Sequence, residues 1–63
     1  MFKVGDKVTY KTSFKEENGI IKGRSIDPLY IFVVFNCEED WENFMNYTGE
    51  FTRISDLREG WLA

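Results

Sequence analysis

The chain contains no histidine and only one cysteine and one proline in its 63 residues. Without histidine, neither a Ser–His nor a Cys–His nucleophilic pair can be assembled, and the usual zinc ligand sets are out of reach. A single cysteine, Cys37, permits no internal disulfide, so no covalent staple supports the fold. A lone thiol suits a reducing compartment, and the expected location is cytoplasmic. Cys37 follows an apolar stretch with no evident base near it in sequence, which fits a small packing residue better than a nucleophile. Gly-rich phosphate loops, dinucleotide fingerprints, internal repeats and low-complexity tracts are all missing. No apolar run approaches the ~20 residues of a membrane-spanning helix, and the region after Met1 lacks the apolar stretch of a signal peptide, so no membrane association is expected. Asn46-Tyr47-Thr48 matches a glycosylation acceptor, which has no meaning without secretion.

What the chain does have is aromatic bulk. Phe, Trp and Tyr make up 17% of the residues, and each ring can bury roughly 150–250 Å². A domain this short buries a modest fraction of its surface, so rings are an economical way to fill its core. Residues 1–63 are expected to form one domain. Charge is unevenly spread. Six basic and three acidic residues give +3 over residues 1–24, and two basic and eight acidic give −6 over residues 25–63, which sums to the net −3. An acidic chain is a poor sequence-independent partner for phosphate backbones, which need clustered Lys and Arg.

The stretch around which the rest is organised is Tyr30-Ile31-Phe32-Val33-Val34-Phe35. It is six apolar β-branched or aromatic residues, with Asp27-Pro28 before it and Asn36 after it. That composition predicts a strand covered on both faces in the middle of the fold. Val8 and Tyr10 alternate with Lys7, Thr9 and Lys11, predicting a half-buried strand with a solvated side. Thr12–Asn18 reads as a loop ending in an Asn18-Gly19 tight turn, and Ile20–Arg24 as a second strand bracketed by Gly19 and Gly23, glycines of the kind that mark bulges. Trp41, Phe44 and Met45 recur at i, i+3, i+4 behind Asp40, predicting one helical or 3-10 turn with Asp40 as N-cap. Glu50–Ile54 alternates as a fourth strand. Ser55 is placed to cap a 3-10 turn through Asp56–Glu59 that ends at Gly60, and Trp61-Leu62 to form a short fifth strand.

This order resembles a small five-stranded SH3-like barrel, all-β and partly open. In its first half, Gly5-Asp6-Lys7-Val8 resembles the opening Gly-Asp-x-Val of KOW-type modules, and Asn18-Gly19-Ile20-Ile21 resembles their central Gly-x-Val/Ile. The second half, Asp40-Trp41, Tyr47-Thr48-Gly49, Ser55-Asp56-Leu57 and Gly60-Trp61, is similar to small uncharacterised bacterial and phage proteins, which implies a phage or prophage origin. The KOW-like resemblance implies RNA or protein partners.

The expected function is a non-enzymatic binding or adaptor module with a protein or peptide partner, with a weak homo-oligomer as a further expectation. SH3-like barrels recognise peptides on aromatic surfaces. Tyr10, Trp41, Phe44 and Tyr47 are the candidate binding rings, with Trp61 as a further one and Glu39 and Asp40 as an acidic rim for a basic partner. Core packing explains rings equally well and is assigned to Phe32, Phe35 and Phe51. The alternative is nucleic-acid binding through Lys7, Lys11, Lys15, Lys22 and Arg24, disfavoured by net charge. Charged side chains on a solvated sheet face account for the same lysines. Glu38, Glu39, Asp40 and Glu42 lack the alternating spacing and glycine of a calcium loop, so neither a metal nor another cofactor is expected.

Overall fold

Alternation sorts most strand residues of this chain onto two faces, and both faces carry apolar side chains. In the computed structural model, which describes residues 2–61, strands β1 (Lys7–Lys11), β2 (Glu16–Arg24), β3 (Tyr30–Val34), β4 (Glu50–Arg53) and β5 (Leu57–Glu59) form one sheet. Its order is β4-β3-β2-β1-β5, and every neighbouring pair is antiparallel. A 3-10 segment, Trp41–Asn46, separates β3 from β4, and a shorter one, Ile54–Asp56, separates β4 from β5. The sheet does not close: β4 and β5 remain edges. It is a small five-stranded all-β fold of SH3-like type in the loose sense.

The inner face holds the core. Val8, Ile21, Ile31, Val33 and Leu57 pack together, flanked by Phe2, Tyr10, Phe35 and Ile54. On the outer face, Ile20 and Val34 pair across β2 and β3, and both are buried, as is Cys37 just beyond β3. The 3-10 segment lies against β2 on this side. The chain reaches it through Glu38 and Glu39, whose φ values of 51° and 68° are left-handed. Such a conformation costs roughly 1–2 kcal/mol per residue without glycine's freedom, and it reverses the chain immediately after Cys37.

Several expectations change. The Tyr30–Val34 strand is interior, but the middle strand of the sheet is β2, nine residues long. Asn18-Gly19 is not a turn. The reversal after β1 lies at Thr12–Lys15, where the Thr12 N–H donates to the Lys15 carbonyl at 2.9 Å, and β2 runs straight through Asn18 and Gly19. Gly19 is there for packing: a Cβ would lie 2.7 Å from Val33 Cγ1 and 2.8 Å from Phe35 Cδ1. Gly23 does mark a bulge, since the β2–β3 register shifts between Ile21 and Gly23.

Thr9 was expected on a solvated face, yet it is fully buried. Its hydroxyl donates to the Gly60 carbonyl at 2.8 Å and lies 3.0 Å from Asn18 Oδ1. The cause is the chain end: Gly60, at φ 81°, turns Trp61 back so that its indole N–H donates to the Gly19 carbonyl at 2.8 Å. The fifth strand is therefore Leu57–Glu59 rather than Trp61-Leu62; Leu62 lies outside the described residues. The second 3-10 turn begins at Ile54, so Ser55 lies inside it rather than capping it.

Candidate functional site

The predicted partner-binding residues fall in two places. Asp40, Trp41, Phe44 and Tyr47 gather on the outer face. The Asp40 side chain does not cap the 3-10 segment. Its carboxylate instead accepts from the Asn43 side-chain amide at 2.9 Å and from the Tyr47 hydroxyl at 2.9 Å. That hydrogen bond, with partial desolvation and the charge of Asp40, raises the Tyr47 hydroxyl above the ordinary tyrosine pKa of 10.0. The Tyr47 carbonyl accepts from the Lys22 ammonium, tying the end of the segment to the bulge of β2. Trp41 is half-buried and packs against Trp61 at 4.9 Å between ring centroids, and the Lys7 ammonium sits 4.6 Å above the Trp61 ring. Phe44 and Tyr47 are half-buried too, while Glu39 is exposed. This segment is mostly a cover for Ile20, Val34 and Cys37.

Tyr10 is elsewhere. It lies on the inner face, edge-on to Phe35 at 5.8 Å and 68°. The sheet curls so that the tip of the β1–β2 hairpin faces β4 across a groove of about 290 Å³. Tyr10 and Phe35 line this groove on one side and all of β4 lines the other, with Lys15, Glu17 and Asp56 around the mouth. The tip itself carries Phe14, which is fully exposed.

The basic set does not form one free face. Lys11 lies 3.5 Å from Glu16 and Lys15 3.3 Å from Glu17. Lys22 is engaged by Tyr47 and Lys7 by Trp61. Arg24 lies at the opposite end of the molecule from the hairpin tip, beside Phe2, Ile26 and Ile54. Glu38, Glu39, Asp40 and Glu42 do not converge either: among the described residues, no group of three or more acidic or cysteine side chains is placed to hold a metal ion. Among the same residues, no helix is long and apolar enough to cross a membrane.

Sequence reasoning missed Phe35, Phe51, Glu50 and Arg53. Phe51 was assigned to the core, but it is 54% exposed, because Thr52, not Phe51, is the β4 residue that faces inward opposite Ile31. It stacks on Tyr30 at 4.4 Å, nearly parallel, and touches Phe32 at 5.5 Å. Arg53 covers the far side of this group, 5.4 Å from the Tyr30 ring, with its guanidinium donating to the Tyr30 hydroxyl at 3.1 Å. The available signal was that Thr52 and Phe51 alternate, so only one of them can face the core. No protein-family model matches this sequence, and no curated protein or solved structure is significantly similar to it.

Proposed function

We propose that this chain is a non-enzymatic protein-binding module that takes a peptide segment of its partner. The observation that carries this reading is the groove between the hairpin tip and β4, with Tyr10 and Phe35 inside it and the exposed Phe51 on its rim. A preformed cleft lined by Tyr10, Phe35 and Phe51 together with the charged Lys15, Glu17, Glu50, Arg53 and Asp56 suits a peptide that brings both apolar and charged side chains on a polar backbone. The outer-face residues Trp41, Phe44 and Tyr47, with Asp40 and Glu39, serve mainly to hold the sheet in its curled shape.

Nucleic-acid binding, the alternative that the KOW-like first half implies, finds less support. Two of its five basic residues face glutamates, a third is held by a backbone carbonyl, and the net charge is −3. A phosphate-binding surface gains its affinity by releasing counterions from free cations, and few are free here.

Selection from a randomised displayed peptide library tests the proposal. Enriched peptides should bind the purified protein and shift the amide signals of Tyr10, Phe35 and Thr52. No enrichment above a scrambled control, together with salt-sensitive micromolar binding of mixed-sequence RNA, would reverse the order of the two readings.

A further inference from the structure

The groove is bordered on one side by backbone, and the register says which backbone groups are open. Tyr30, Ile31, Phe32 and Val33 pair with Arg53, Thr52, Phe51 and Glu50. Continuing that register pairs Leu29 with Ile54, and the Ile54 N–H donates to the Leu29 carbonyl at 2.9 Å. Antiparallel pairs alternate between those that exchange hydrogen bonds and those that do not. Ile31–Thr52 and Val33–Glu50 are therefore the bonded pairs, and Phe51 and Arg53 turn their backbone N–H groups away from β3. Tyr30 agrees: its N–H donates to the Asp27 carbonyl at 3.1 Å and its carbonyl accepts from the Ser25 hydroxyl at 2.9 Å, so neither group serves Arg53.

An unpaired edge is a template for another strand, and folded proteins usually blunt it with charge, brevity, proline or a bulge. The β5 edge is blunted in this way: it is three residues long, carries exposed Arg58 and Glu59, and ends at left-handed Gly60. The β4 edge is also short, at four residues, and carries exposed Glu50 and Arg53, but it has no proline or bulge and no left-handed residue at its end, and it presents an exposed phenylalanine.

We propose that β4 is the docking edge for an extended peptide carrying a basic side chain, which joins the sheet as a sixth strand. This rests on the reading of the protein as a peptide-binding module and specifies how and what it binds. The open N–H groups of Phe51 and Arg53, with the Phe51 carbonyl between them, match the backbone of an extended polypeptide. Alternate side chains of the added strand fall on two sides. One set lies beside Glu50 and Thr52, within reach of Tyr10 and Phe35, and the other lies beside Phe51. Charge selects the basic residue. At this groove Lys15 is neutralised by Glu17, and the positive Arg53, turned to the Tyr30 ring on the outer face, leaves a surplus of one negative charge against Glu50 and Asp56, which make no ion pair among the described residues.

Proline is the sharpest probe of this edge, because it deletes one N–H and nothing else where the backbone already suits it. Arg53 has φ −68°, within proline's range. Arg53→Pro should fold and melt like Arg53→Ala, yet bind library-selected peptides about tenfold or more weakly than Arg53→Ala does. In the unaltered protein, the amide protons of Phe51 and Arg53 should exchange quickly with solvent and become protected when peptide binds. That measurement decides the matter even if the proline variant fails to fold. Selected peptides should carry Lys or Arg and lose affinity against a Glu50→Gln, Asp56→Asn double variant. Peptides that bind equally to both Arg53 variants without protecting the Phe51 and Arg53 amides would overturn the edge assignment while leaving peptide binding intact. Selected peptides without basic residues would overturn the charge assignment. A concentration-dependent dimer abolished by Arg53→Pro would put a second copy of the chain on the edge instead. Failure to select any peptide would remove the proposed function itself.

Discussion

Two halves of the same outer sheet face are treated differently. At one end Ile20 and Val34 are sealed beneath the Trp41–Asn46 segment, with the Trp41–Trp61 pair beside them. At the other, Tyr30, Phe32 and Phe51 form a stacked aromatic group that stays open beside the β4 edge. Both ends belong in part to one strand, β3, which lies within the six-residue apolar run Tyr30–Phe35 that looks uniform in sequence. The contrast shows that apolar character on a strand marks a face that needs some contact, without saying whether the chain itself supplies it. Where the chain closes over its own sheet it uses two left-handed glutamates and a returning C-terminal tryptophan. Where it does not, the exposed apolar side chains sit next to the unpaired edge of β4.

The inner core sets the scale against which both halves are measured. Ile21→Ala removes a fully buried side chain and should cost about 2–5 kcal/mol. That approaches the whole stability of roughly 5 kcal/mol expected for a domain this size. Gly19→Ala should cost about 1–3 kcal/mol by overpacking Val33 and Phe35, a loss that a turn glycine in open space would not show. Urea titration measures both. A midpoint unmoved by Gly19→Ala would mean that Gly19 does not pack against β3 as described.

Next in size comes the covered half. Trp61→Ala removes a half-buried ring and the hydrogen bond to the Gly19 carbonyl. The expected loss is about 2 kcal/mol, below the 3–5 kcal/mol of a fully buried tryptophan. Trp61→Phe should recover the packing with Trp41 but not the hydrogen bond. In the open half, Phe51→Ala should cost only about 0.5–1.5 kcal/mol, the worth of its contacts with Tyr30 and Phe32. The two substitutions, followed by thermal melting, test the contrast directly. If Phe51→Ala lowers the melting temperature as much as Trp61→Ala, the aromatic group is structural and the open half is not open in any useful sense.

The strands were legible because β-branched and aromatic runs bounded by Gly, Asp and Pro are local signals, and the 3-10 segment was legible from the spacing of Trp41, Phe44 and Met45. Long-range closure was not. Asn18-Gly19 has the chemistry of a hairpin turn, but Gly19 is needed small by side chains fourteen and sixteen residues away in Val33 and Phe35, a requirement no local pattern reports. Thr9 alternates correctly with Val8 onto the outer face and is buried there only because Gly60 and Trp61 fold back over it. The site divided for the same reason. Tyr10 was legible as a half-buried ring, but its partners Phe35, Phe51 and Arg53 come together only through the curl of the sheet. Edge position, which leaves Phe51 exposed, depends on the strand order and cannot be had from β4 alone.

The smallest expected effect concerns how the cover is latched. The Tyr47 hydroxyl donates to the Asp40 carboxylate, and this contact is the main reason its pKa is raised. A raised folded-state pKa means the folded protein holds the tyrosine proton more tightly than the unfolded chain does. The associated stability is therefore fully present below the ordinary pKa of 10.0. It is lost as pH climbs from there through the higher folded-state value, where tyrosinate would face the Asp40 carboxylate. Tyr47→Phe removes both the hydrogen bond and this titration. At neutral pH it should destabilise only slightly, because the site is open to water and the bond competes with solvent. As pH rises above 10.0, the unaltered protein should lose stability faster than Tyr47→Phe, and the gap between them should narrow. Chemical denaturation in parallel at neutral and alkaline pH reads this out. A gap that stays constant, or widens, would mean that Tyr47 does not use its proton to hold Asp40, and that the outer cover is kept in place by the Trp41–Trp61 contact and the Lys22 tie to the Tyr47 carbonyl.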